Sequence, residues 1–138
     1  MKTNNKTPSI YNKAVLKETS EALDTWVCDM EKIASLAGRM ALKEDNLILK
    51  IAIEMEISEF IYDLDEIPEN AVEGDSAAIL SAISKHIRSF SISEAENLSW
   101  EGDDLQSALV YLSEKGDIRK LNEYLHNIKA DLKDFMKS

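Results

Sequence analysis

The chain has 138 residues, with 26 Asp and Glu against 16 Lys and Arg, a formal net charge of -10 and a pI near 4.6. A surface so acidic repels nucleic acid and anionic lipid and draws basic partners at low salt. A hydrophobic share of 44 % excludes wholesale disorder, and four Gly with two Pro supply too few tight turns for an all-β fold.

Residues 1–8 are polar and read as a flexible N-terminus, with 9–138 as a single helical domain. No apolar segment follows Met1, so no secretory signal is expected, and a lone cysteine suits a reducing compartment; the expected location is cytoplasmic. From Pro8 onward, Val15, Leu16, Thr19, Ala22, Leu23, Trp26, Val27, Met30, Ile33, Ala37 and Met40 recur at steps of three and four. At 100° per residue they fill one stripe roughly 140° wide, the mark of a long amphipathic helix. Gly38 is its expected kink or end. Cys28 falls on the opposite face and is expected to be exposed.

Asp45 or Asn46 is expected to cap a second helix running to Ile67, ended by Pro68. Leu49, Ile53, Ile57, Phe60, Leu64 and Ile67 form one apolar row, and Ile48, Ile51, Met55 and Tyr62 form another. Two rows imply two packing neighbours and hence the central helix of the domain. Between them lies an acidic ridge, Glu56, Glu59 and Asp63. Acids within this stretch (Glu54, Glu56, Glu59, Asp63) and Lys50 also exclude a membrane span.

After the linker 68–74, Asp75 or Ser76 is the next expected cap, and Ile79, Leu80, Ile83, His86, Ile87 and Phe90 share a face of the third helix, with His86 expected at the core or its boundary. Ser93 with Glu96 matches a capping box and predicts a separate short helix through Leu98. An acidic loop follows, with Asp103 the expected cap of a helix through Leu105, Ala108, Leu109 and Leu112. Gly116 ends it, Asp117 caps the last helix, and Ile118, Leu121, Leu125, Ile128, Leu132 and Phe135 give that helix its apolar stripe. The expected fold is all-α, a single-domain irregular bundle of five to six helices.

Chemistry is sparsely signalled. Glu123-x-x-His126 has the spacing of one half of a di-metal bundle site, but His86 has Ile83 in place of the second Glu. Glu56-x-x-Glu59, with Asp63, matches the first half of the Mg²⁺ ligand set of helical nucleotide pyrophosphohydrolases, where hard oxygen ligands converge. The next helix, with Ala77, Ala78, Leu80, Ser81 and Ser84, is read as containing no acid at all, and Glu101-x-x-Asp104 falls in a loop. No nucleophile elbow or phosphate-cradling glycine loop is present, Cys28 has only Lys32 as a basic neighbour within a turn, and no cofactor is expected. Basic groups are small and offset by acids, so direct nucleic-acid binding is not expected.

What stands out is Trp100 amid Glu94, Glu96, Glu101, Asp103 and Asp104, with Tyr62, Asp65 and Glu66 as a second cluster. An aromatic ring among carboxylates has the make-up of a hot spot for a basic protein. The reading is a small acidic helical binding protein, more inhibitor than enzyme, that neutralises a basic macromolecule. Inhibitors that cap toxins or nucleases, including immunity proteins and phage anti-defence proteins, share this physical character. The alternatives are a Mg²⁺-dependent nucleotide pyrophosphohydrolase using Glu56, Glu59 and Asp63, and a homo-oligomeric scaffold or chaperone, its homodimer formed through the first helix.

Overall fold

The computed structural model describes residues 13–42, 47–66 and 75–137. Five α-helices follow in order, α1 (Lys13–Leu42), α2 (Leu47–Asp65), α3 (Asp75–Asn97), α4 (Leu105–Lys115) and α5 (Ile118–Lys137), with no strand among the described residues. The all-α bundle expected from periodicity is what the chain forms. The readings of residues 1–8, Pro8, the cap at Asp45 or Asn46, the stop at Pro68 and the linker 68–74 fall outside the described residues.

The longest helix, α1, is the hub, packing against all four others and most extensively against α2 and α5. Its stripe is consumed in the chain's own core: Val15, Leu23, Trp26, Val27, Met30 and Ile33 are all buried. From Leu23 onward they meet Ile53, Ile57, Phe60 and Leu64 of α2, Leu109 and Leu112 of α4, and Leu121 and Leu125 of α5. Phe90 of α3 stacks on Tyr124 of α5 with ring centroids 4.3 Å apart. Gly38 does not end the helix, which continues to Leu42. An exposed glycine in a helix costs only about 1 kcal/mol, and Ala37 and Met40, packed at the core on either side, hold the turn in register.

Three sequence expectations are corrected here. The central helix is α1, because the second row of α2 is not covered: Ile48, Ile51, Met55 and Tyr62 lie in solvent opposite the buried row. The separate short helix at Ser93 does not form; α3 runs unbroken from Asp75 to Asn97. Its buried positions are Leu80, Ser84, Ile87, Ser91 and Ala95, whose steps of four, three, four and four stay in phase across Ser93. Two of those five are serines, which a count of apolar residues passes over; Ser91 donates to the Ile87 carbonyl at 2.7 Å, satisfying its hydroxyl inside the core. The real face is therefore rotated from the expected one, and His86 stands exposed rather than at the core.

Candidate functional site

The site around Trp100 is built by the way α3 stops. Ser99 adopts a left-handed backbone, φ 70°, the Trp100 N–H donates to the Ala95 carbonyl at 3.1 Å, and the Ser99 N–H donates to Glu96 at 2.9 Å. This paired closure reverses the chain and presses the following hydrophobe onto the helix it has left. Trp100 is accordingly half-buried, packed against the core, instead of standing free in solvent. Gly102 lies against the ring so closely that a Cβ there would sit 2.5 Å from Cζ2 of Trp100. The same closure recurs at the end of α4, where Gly116 takes the left-handed position and Asp117 donates to Leu112.

The N-cap of α4 is Asp104, not Asp103. Its carboxylate accepts from the Ser107 N–H at 2.9 Å and from the Ser107 hydroxyl at 2.8 Å. These bonds to the charged form, the backbone one first, hold its carboxyl below the usual range. The helix starts at Leu105 because Leu105 is the first residue buried in the core, so the acid just before it becomes the cap. Tyr111 donates to the Leu98 carbonyl at 2.5 Å, and Gln106 donates to Ser58 of α2 at 3.0 Å, so α4 is tied to the end of α3 and to α2.

Between these elements runs an open groove of about 490 Å³ whose walls carry Glu54, Trp100, Asp104, Tyr111 and Glu114. Three carboxylates and two aromatic rings face it, and no basic side chain lines it. Beside it, a smaller hollow of about 380 Å³ is bordered by Ile61, Arg88, Ile92, Asp103 and Asp104. Arg88 also pairs with Asp65, so the second acidic cluster meets the first through this guanidinium. Glu101 and Glu96 are exposed.

The remaining expected residues are already engaged. Glu94 pairs with Lys120 at 3.4 Å and raises the lysine's pKa. Glu66 accepts from the Tyr62 hydroxyl at 3.0 Å, a bond that pushes the phenol upward. Sequence reasoning missed Glu54, Tyr111 and Glu114. Tyr111 and Glu114 are one turn apart on α4, a visible signal, but Glu54 joins them only because α2 packs on α4.

The acidic ridge of α2 faces α1. There Asp29, only 6 % exposed, carries a carboxyl raised from 3.8 to about 8, first by burial, then by a hydrogen bond to the Asp63 side chain and by repulsion from Asp63 and Glu56, with Lys32 opposing. Asp29 Oδ2 and Glu56 Oε2 are buried without a hydrogen-bond partner, while Glu59 is exposed. Trp26 closes the seam by donating its indole N–H to the Asp63 carbonyl at 3.1 Å. Among the described residues, no three His, Cys, Asp or Glu side chains converge in a way that would hold a metal ion. Glu101 and Asp104 lie in the loop leading to α4, with Asp104 committed as a cap. His126 pairs with Glu31 of α1 at 3.2 Å, and Cys28 is exposed, as its place opposite the stripe implies.

Among the described residues, fold and site together define a bundle of five helices with an anionic, aromatic-walled groove along α4. No protein-family model, curated protein or solved structure matches the chain. No helix among the described residues is long and apolar enough to cross a membrane.

Proposed function

We propose that this protein captures a basic macromolecule, most fittingly a basic protein, and neutralises it by covering its cationic surface. The observation that carries the reading is the groove between α2, α4 and the α3–α4 loop, where Glu54, Asp104 and Glu114 surround Trp100 and Tyr111 without any basic residue in the wall. A guanidinium or ammonium group entering there gains carboxylate partners and an aromatic face at once. Tyr111 already accepts a cation in this manner, with Lys115 Nζ 5.3 Å from its ring centroid. Glu101 and Asp103 in the exposed loop extend the anionic rim. Such a partner's nucleic-acid or substrate groove would be shielded, an action of the kind performed by toxin or nuclease inhibitors and immunity-type or phage anti-defence proteins.

The test is charge reversal of residues that cap nothing. Glu54→Lys, Glu101→Lys and Glu114→Lys are combined in one variant and compared with the parent chain for retention of a basic protein recovered from the native host or a competitor. Binding weakened by about a hundredfold is expected, because facing like charges oppose encounter and contact together. Undiminished retention by the triple variant rules out the groove as the contact surface.

A further inference from the structure

The outward face of α2 holds the largest set of exposed apolar side chains among the described residues. Ile48 is 78 % exposed, Met55 68 % and Tyr62 58 %, with Leu47 and Ile51 beside them. At 100° per residue this row lies about 170° from the buried row of Leu49, Ile53, Ile57, Phe60 and Leu64. A helix apolar on both sides is ordinarily covered on both. From Ile48 to Tyr62 the row covers four turns, about 21 Å, the reach of a short amphipathic helix laid alongside.

The margins select the occupant. Glu54 and Asp65 flank the row on one side and Glu59 and Glu66 on the other, while Lys50 is the one base on this helix. A second copy of the chain would bring these acids against their own kind, a juxtaposition that costs affinity. Lysine or arginine side chains on an incoming helix would find carboxylates along both edges.

We infer that the outer face of α2 seats an amphipathic helix of a basic partner, its apolar residues along Ile48, Ile51, Met55 and Tyr62 and its cations on Glu54, Glu59 and Glu66. This deepens the proposed function and rests on a basic partner, but on a face distinct from the groove except at Glu54, which borders both.

The probe is a synthetic amphipathic peptide of about 18 residues with leucines at i, i+3, i+4 and i+7 and lysines on both flanks. Binding to the full chain is followed by fluorescence anisotropy. Ile48→Ser with Met55→Ser, both at exposed positions, is expected to weaken binding at least about tenfold, with the circular dichroism of the fold unchanged. Glu123→Lys, at an exposed position on α5 and outside both the groove and this face, is expected to leave peptide binding intact. Equal binding of a scrambled peptide of the same composition, or of one with glutamate flanks, overturns the proposal. So does a dimer of the parent chain that the double substitution dissolves, or tight peptide binding that appears only once residues 1–12 are removed. If the basic protein is retained equally by the parent and the Ile48/Met55 variant, this seat is wrong while the groove reading stands. If peptide binding behaves as expected but a groove variant that spares Glu54, Glu101→Lys with Glu114→Lys, retains its partner, the reverse holds.

Discussion

Asp29 shows how one side chain sets a property of the whole fold. Buried at the α1–α2 seam beside Asp63 and Glu56, it keeps its proton up to about pH 8 in the folded chain, whereas an unfolded aspartate releases it near its ordinary value of 3.8. Between those values the folded state binds more protons than the unfolded one, so stability falls as pH rises from about 4 to about 8 and levels off above. Asp29→Asn removes the ionisable group while keeping its size and a donor for Asp63. We expect the thermal midpoint of the variant to vary much less between about pH 5 and pH 8, and to exceed the parent's at the upper end. Parallel pH profiles for the two chains would show that the charge of Asp29 is not what the fold resists. Nothing in the sequence marked this residue: it lies beside Met30 on the edge of an otherwise regular stripe, and its acidic neighbours in space, Glu56 and Asp63, belong to another helix.

At the scale of the element, helix ends decide where functional side chains go. Two closures of the same type end α3 and α4, but one uses Gly116 and the other Ser99. An L-residue in the left-handed region carries steric strain that glycine avoids. Ser99→Gly is therefore expected to raise stability by roughly 0.5–1 kcal/mol, after allowance for the greater freedom of glycine in the unfolded chain. Chemical denaturation reads this directly, and a loss of stability would mean that the Ser99 side chain supports the turn. Sequence patterning located the Gly116 closure because glycine announces it, and missed the one at Ser99 because serine does not. The same blindness affected α3: its core-facing serines at 84 and 91 concealed the true stripe and made Ser93 resemble a new start.

For the molecule as a whole, periodicity made the helical class and the order of helices legible, since apolar steps of three and four survive almost throughout α1 and α5. Which helix stands at the centre was not legible. Two apolar rows on α2 look alike in one dimension, and only the docking of α1 and α4 decides that one is core and the other surface. The acid–aromatic cluster near Trp100 was visible as composition, but its groove requires Glu54 from a distant helix. The net charge of -10 carries its own expectation. Capture of a basic partner should slow by roughly tenfold in association rate between about 0.02 and 0.2 M salt, with a much smaller change in dissociation. Stopped-flow kinetics separate the two, and salt-independent association would indicate recognition driven by apolar contact alone.

The two indoles sit in unlike surroundings, Trp26 sealed with its N–H committed to Asp63 and Trp100 opening onto the groove. Intrinsic emission is thereby divided between two reporters: a quencher dissolved in water reaches Trp100 while sparing Trp26 until the chain unfolds. A ligand that shades the first without touching the second announces where it has settled, with no label attached.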